Sequence, residues 1–205
     1  MTRHGCPDGF KDSIFYFDDE DSNNQNTQYT SSNFFDYMAG AQGRNTALFF
    51  CDSDNSGSGV SSWPSGEYCI TKTSSTCPSG FQTSYLYMDD EDDSRESASY
   101  GETNVVVSGS KGGIYQFCCR SDGSRYTPVT IVDDKSIQSF ALYPKGASCQ
   151  AVKDYTYKLL TLYHDNEDDC NENSVHNQGY LPKGVYDRNT MIYVCVYYRS
   201  GVTFP

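Results

Sequence analysis

The sequence predicts an all-β domain of three internal repeats of about 70 residues, related by pseudo-threefold symmetry in a β-prism-like, disulfide-bonded fold. The first observation is an acidic block, Asp-Asp-Glu-Asp at 18–21 and 89–92 and Asp-Asn-Glu-Asp at 165–168. The second is that each block follows an aromatic-rich run and lies between two cysteines. The third is the abundance of Tyr and Phe without sustained helical periodicity, which favours strands.

The spacing of the cysteines defines the repeat units. The opening cysteines Cys6, Cys77 and Cys149 are separated by 71 and 72 residues. The closing cysteines follow the first acid of each block by 33, 29 and 30 residues. Arg-Asn-Thr occurs at 44–46 and 188–190, five residues before the closing cysteine of units one and three. These spacings assign the units to residues 6–54, 63–123 and 127–201 of a single domain over 1–205.

Each unit is expected to hold a strand before its acidic block and a strand that ends on its closing cysteine. Unit one has a turn at 6–10, a strand at 14–17 and a closing strand at 47–51; a Gly/Ser/Asn linker at 52–62 follows. Unit two has hydrophobic runs at 85–88 and 112–119. Unit three has runs at 140–143 and 191–195. The best helix candidate, 151–162, contains too many Tyr and Thr to favour a helix.

Nine cysteines in a chain with little aliphatic core indicate an oxidising compartment, and their wide spacing disfavours zinc ligation. Position in the repeat predicts three bridges, and two cysteines extra to unit two are left to form a fourth. The predicted pairs are Cys6–Cys51, Cys77–Cys118, Cys149–Cys195 and Cys69–Cys119. Cys69 competes with Cys77 as the counterpart of Cys149, because a Pro-x-Gly segment precedes both Cys69 and Cys149. Cys170 is expected to be a free thiol or an intermolecular link.

Charge and hydropathy limit the partners and the location. A net charge of −12 argues against nucleic acids and against unaided binding to anionic membranes. No apolar run reaches the length of a transmembrane segment. The cysteines indicate a secreted protein, although the chain opens without an apolar signal segment. We therefore expect a mature fragment or an excised domain with an added Met.

The acidic blocks have two interpretations. Clustered carboxylates with nearby amides are suited to Ca²⁺, which would be the one candidate cofactor; none is required. The alternative is that the carboxylates cap turns, accept backbone N–H groups or are solvated. The candidate ligands are Asp18, Asp19, Asp21, Asn24, Asn26, Asp89, Asp90, Asp92, Asp165, Glu167, Asp168, Asn171 and Asn173.

Catalysis is not expected, because a Cys/His nucleophile needs a reduced cysteine and the histidines lack metal-ligand spacing.

A glycan-binding surface needs ring faces beside amide and charged partners, and unit three offers such a set. The candidates are Tyr180, Tyr186, Arg188, Asn189, Tyr197, Tyr198 and Arg199. The alternative is that the tyrosines form the core, and that Arg188, like Arg44, fixes the turn before the closing strand.

Several motifs together resemble the apextrin C-terminal domain family, ApeC. They are Cys-Pro-x-Gly-Phe at 6–10 and 77–81, Phe-Cys-Cys-Arg-Ser-Asp-Gly at 117–123, Cys-Gln-x-Val at 149–152 and Gly-x-Leu-Pro-x-Gly-x-Tyr at 179–186. The chain also distantly resembles the β-prism C-terminal domain of apicomplexan perforin-like proteins.

The ApeC resemblance implies a secreted recognition domain of innate immunity that binds microbial cell-wall glycans, above all peptidoglycan. An alternative is a domain that docks a perforin-like pore-forming protein onto a membrane lipid or a cell-surface receptor. A third possibility is an extracellular structural or adhesive protein. An upstream pore-forming domain, or a disulfide partner through Cys170, is compatible with these interpretations.

Overall fold

The computed structural model describes the backbone at 10–17, 27–29, 46–53, 63–72, 75–89, 98–100, 106–108, 112–131, 135, 137–166 and 172–199. Side chains are described for 63–72, 75–89, 112–131, 135, 137–166 and 172–199. These residues form antiparallel strands and one short 3-10 turn, Gln178–Tyr180, without an α-helix in the described ranges. The all-β prediction is therefore confirmed. No helix in this part of the chain has the length and hydropathy that a membrane span requires.

The strands are numbered in chain order. Those of unit one are β1 (Phe10–Phe17), β2 (Thr27–Tyr29) and β3 (Thr46–Ser53). Those of unit two are β4 (Glu67–Thr71), β5 (Gln82–Asp89), β6 (Ala98–Tyr100), β7 (Val106–Ser108) and β8 (Gly112–Ser121). Those of unit three are β9 (Ser139–Pro144), β10 (Tyr155–His164), β11 (Ser174–His176), β12 (Gly184–Tyr186) and β13 (Thr190–Arg199). The disfavoured helix candidate at 151–162 thus lies largely in β10.

Each unit contains a long antiparallel hairpin, β1 with β3, β5 with β8 and β10 with β13. The closing cysteine of each hairpin lies opposite the residue six positions before the first acid of the block. The opposed pairs are Cys51 with Asp12, Cys118 with Thr83 and Cys195 with Leu159. The three hairpins therefore share one register, as the cysteine spacing implies.

Short strands pair across the predicted units. Strand β6 of unit two pairs with β1 of unit one, β11 of unit three pairs with β5 of unit two, and β2 of unit one pairs with β10 of unit three. In each case the first residue of the short strand faces the tyrosine two positions before the acidic block. These pairs are Ala98 with Tyr16, Ser174 with Tyr87 and Thr27 with Tyr163. Each unit thus donates a strand to another unit.

Strands β4 and β9 join the sheets of units two and three, because they pair with each other and with β8 and β13 respectively. The larger sheet runs β11-β5-β8-β4-β9-β13-β10-β2, with β7 and β12 pairing to β8 and β13. The buried side chains of this sheet contribute to two clusters, one with Leu86, Tyr115 and Phe117, the other with Tyr68 and Tyr197. Aromatic side chains fill much of the core in place of the scarce aliphatic ones.

Three of the predicted disulfides are confirmed: Cys69–Cys119, Cys77–Cys118 and Cys149–Cys195. Cys118 and Cys119 serve different bridges because neighbouring strand residues face opposite sides, and the two lie in different core clusters. The pairing makes Cys77, and not Cys69, the counterpart of Cys149. By the chain-entropy model each loop stabilises the fold by about 4 kcal/mol. The predicted Cys6–Cys51 bridge and Cys170 lie outside the described side chains.

Candidate functional site

The Phe-Cys-Cys-Arg-Ser-Asp-Gly motif forms a structural ion pair. Arg120, which is buried, donates to the Asp122 carboxylate from Nε at 2.8 Å and also from Nη2, and its Nη1 donates to the Trp63 carbonyl at 2.6 Å. Asp122 also accepts the Gly66 N–H at 3.1 Å. The hydrogen bonds from Arg120 hold the pKa of Asp122 well below its usual range. Because its donors are used within the fold, Arg120 is not available to a ligand.

The ring of Phe81 and a glycine complete this arrangement. The Arg120 guanidinium lies 4.9 Å from the centroid of the Phe81 ring. Gly80 has a φ of +86°, and a Cβ there would come within 2.8 Å of Arg120 Nη2. The glycine of Cys-Pro-x-Gly-Phe in unit two is therefore required both by its backbone conformation and by the close approach of Arg120.

The Cys-Gln-x-Val motif is also structural. Gln150 is fully buried; its Oε1 accepts the Glu67 N–H at 2.9 Å, and its Nε2 donates to the Thr127 carbonyl at 2.9 Å. The Gln150 carbonyl accepts the hydroxyl of Tyr197 at 2.7 Å. Tyr197 is 0 % exposed, and burial raises its pKa. The assignment of Tyr197 to the glycan surface is therefore wrong, since its ring belongs to the core.

Asp89, the first acid of the second acidic block, forms hydrogen bonds with the segment that leads into β11. Asp89 is 5 % exposed, and its Oδ2 accepts the backbone N–H of Glu172 at 2.7 Å, two residues before β11. The backbone N–H of Asp89 donates to Asn173 Oδ1 at 2.7 Å. The amide nitrogen of Asn173 then donates to Asn166 Oδ1 at 3.1 Å and to the Arg188 carbonyl at 2.9 Å. This geometry matches the capping interpretation at Asp89.

A second set of amide contacts lies beside it in unit three. Asp165 and Asn166 are buried, and the Asn166 N–H donates to Asn189 Oδ1 at 3.0 Å. Asn189 Nδ2 donates to the hydroxyl of Tyr163 at 2.7 Å. Both ends of the Asn189 amide are thus engaged inside the protein, so its predicted role as a ligand contact is replaced by a structural one.

The candidate Ca²⁺ ligands fall into two groups. Asp89, Asp165 and Asn173 are described, and the described part of the chain contains no group of three or more His, Cys, Asp or Glu arranged to hold a metal. The remaining candidates lie outside the described residues. They are Asp18, Asp19, Asp21, Asn24, Asn26, Asp90, Asp92, Glu167, Asp168 and Asn171.

Arg188 lies exposed at the turn between β12 and β13. The turn is closed by the Asp187 N–H, which donates to the Asn189 carbonyl at 3.3 Å. Asn173 Nδ2 donates to the carbonyls of both Asp187 and Arg188, at 3.1 and 2.9 Å. This turn, which we call the Arg188 tip, therefore carries an exposed side chain on a backbone that Asn173 holds by hydrogen bonds.

Tyr186 and Tyr180 differ in their environments. The Tyr186 hydroxyl donates to the Pro182 carbonyl at 2.7 Å, its ring packs against the core, and burial raises its pKa. Tyr186 therefore stabilises its own hairpin. Tyr180 is half-buried, and Lys145 Nζ lies 5.6 Å from the centroid of its ring. Of the two rings, Tyr180 has the greater potential to meet a ligand.

Tyr198 and Arg199 lie at the other end of β13. Arg199 Nε donates to the Ile137 carbonyl at 3.2 Å, and its guanidinium lies 4.7 Å from the Tyr155 ring centroid. Ten strand residues at 3.3 Å each separate this end from Arg188 by roughly 30 Å. The predicted unit-three set is therefore not one site.

Sequence reasoning missed Lys145 and Lys183 as surface residues near Tyr180. Both belong to Pro-Lys-Gly segments, at 144–146 and 182–184, and this shared tripeptide was a usable signal. The segments meet in the fold, where the Lys183 N–H donates to the Pro144 carbonyl at 2.6 Å.

A family model described as ApeC, the C-terminal domain of apextrin, matches residues 52–197, which is more than two thirds of the chain. No curated protein and no solved structure matches the sequence.

Proposed function

This chain belongs to the ApeC family, and from this membership we propose that it is an extracellular, non-catalytic recognition domain that binds bacterial peptidoglycan. The family match is the observation that carries the proposal. The three disulfides, which require an oxidising compartment, support the extracellular location.

Arg188 is the proposed anchor for the ligand. Peptidoglycan carries carboxylates on its stem peptides, and a guanidinium pairs with a carboxylate through two parallel hydrogen bonds. The exposed side chain of Arg188 stands on a turn that Asn173 holds, so little backbone order has to be gained on binding. The half-buried ring of Tyr180 is the proposed platform for a sugar face.

The test compares Arg188→Ala with wild type in pull-down on purified peptidoglycan, with chitin and liposomes as parallel surfaces. Loss of a charge-assisted hydrogen bond should weaken binding by about ten- to a hundredfold. A binding role for Arg188 predicts a nearly unchanged Tm in this variant, which keeps the carbonyl that accepts from Asn173.

Lys158→Ala is the matched control, since it removes an exposed cation on β10 away from the tip. A lowered Tm with intact binding would make Arg188 a structural residue. Retention on liposomes and not on peptidoglycan would favour membrane docking over cell-wall recognition.

We further infer that units 6–54, 63–123 and 127–201 are related by a pseudo-threefold axis in a β-prism-like arrangement. The shared register of the three hairpins and the donated strands support this inference. An experimental structure in which the three hairpins superpose by successive rotations near 120° would establish it, whereas unrelated orientations would refute it.

A further inference from the structure

The two Pro-Lys-Gly segments bring two lysines close together along the backbone. Lys183 is exposed, and its backbone N–H donates to Pro144, the residue before Lys145. Lys145 is half-buried, with its ammonium over the Tyr180 ring. A cation over an aromatic ring is held in place without being neutralised. The Lys145 ammonium is therefore positioned beside Tyr180 at the surface of unit three.

The same surface continues to a third cation. The Arg125 guanidinium lies against Gly146, where a Cβ would overlap it. Arg125 Nε is 3.1 Å from the Glu67 carboxylate, and its guanidinium is 5.7 Å from the centroid of the Tyr126 ring. Tyr126 is 78 % exposed, the highest exposure among the large hydrophobic side chains that the structure describes. We name Arg125, Tyr126, Lys145 and Lys183, with the adjoining ring of Tyr180, the basic strip.

The basic strip stands out against the charge of the chain. It carries three cations, of which one is paired with Glu67, whereas the whole chain has a net charge of −12. The described side chains include ten Lys and Arg against seven Asp and Glu, so the negative excess resides in the rest of the sequence. The described part of the chain, to which the strip belongs, therefore does not carry the negative excess of the whole sequence.

We propose that the basic strip binds a polysaccharide that carries carboxylates on successive sugars. The ammonium groups of Lys145 and Lys183 would meet the carboxylates, and the exposed ring of Tyr126 would cover the C–H face of a sugar. The proposal concerns a surface other than the Arg188 tip, shares with the proposed peptidoglycan site only the ring of Tyr180, and does not require peptidoglycan to be the ligand there.

An anionic membrane fits the strip less well. Insertion into a bilayer interface calls for several exposed apolar side chains beside the cations, and Tyr126 alone provides one in the strip. An extended anionic surface would also meet more of the negative charge of a chain whose net charge is −12 than a short ligand would. A flexible oligosaccharide can instead approach the strip locally.

The test measures binding of the full chain to oligogalacturonate and to its methyl ester, which has the same sugars with masked carboxylates. We expect binding of the acid form only. Lys145→Gln with Lys183→Gln should reduce its affinity by about tenfold or more, and Tyr126→Ser should reduce it severalfold. Lys158→Gln serves as the control for loss of an exposed cation elsewhere. Arg188→Ala should leave this binding unchanged, which separates the strip from the peptidoglycan proposal.

Three results would overturn the proposal. One is equal binding of the acid and its methyl ester; another is undiminished binding by the Lys145/Lys183 double variant. The third is binding to phosphatidylserine vesicles without binding to oligogalacturonate, which would assign the strip to membranes. Lys183→Gln alone, at an exposed position, keeps the test valid if the double variant is unstable.

Discussion

Asn173→Ala should destabilise the fold, because one side chain joins four groups of units two and three. Its Oδ1 accepts the Asp89 N–H at 2.7 Å, and its Nδ2 donates to Asn166 Oδ1 and to the Asp187 and Arg188 carbonyls at 2.9–3.1 Å. An amide NH₂ has two hydrogens, so these contacts amount to about three full hydrogen bonds.

The magnitude follows from the value of a net hydrogen bond. Three bonds at about 1 kcal/mol each, with part of the cost of leaving the Asp89 N–H buried and unsatisfied, give about 2–4 kcal/mol. For a chain of this length that corresponds to a fall in Tm of about 5–15 °C. Urea unfolding under non-reducing conditions measures the free energy of unfolding, and calorimetry measures the Tm.

The control is Gln178→Ala, which removes an exposed amide two residues beyond β11 and should change the free energy of unfolding by less than about 0.5 kcal/mol. Asn173→Asp should be at least as damaging as alanine, because it turns a carboxylate oxygen towards two carbonyls. If Asn173→Ala lowers the free energy of unfolding by less than about 1 kcal/mol, with an unchanged m-value in urea, then the pairing of β11 does not depend on this side chain.

Two further predictions concern carboxylates that accept hydrogen bonds within the fold. Asp89→Asn should lower the free energy of unfolding by about 1–2 kcal/mol, equally with EGTA and with millimolar Ca²⁺, because Asp89 accepts the Glu172 N–H; a loss seen only with Ca²⁺ would make Asp89 a metal ligand. The lowered pKa of Asp122 means that its pairing with Arg120 stabilises the fold fully above the unfolded-state pKa of about 4, and that this stabilisation is lost progressively as the pH falls from there towards the much lower folded-state pKa. The stability difference between wild type and Asp122→Asn should therefore be constant from pH 6 to 8 and shrink steadily below pH 4; a difference that is undiminished at pH 2 would contradict this.

The disulfide framework and the hairpins were predictable because cysteine spacing and aromatic runs are strong local signals. The donated strands were not, since β2, β6 and β11 are three residues long and their partners lie far away in sequence. Tyr197 was misassigned for a related reason. Strand β13 lies between β9 and β10 and is buried on both faces from 194 to 197, so no alternation marks which side chains face solvent.

The position of the acids explains why net charge is a poor guide to what this chain binds. Asp89 and Asp165 are buried, and Asp89 accepts a backbone N–H of the donated strand, so these carboxylates add to the negative total without facing a partner. At physiological ionic strength charges act over about 8 Å, which makes a ligand sensitive to the groups it touches more than to the total. A long, stiff polyanion would still meet the acidic remainder of the chain and be repelled. A short anionic oligosaccharide that reaches only Lys145 and Lys183 would not, and the length of the ligand should therefore decide whether the strip can be occupied.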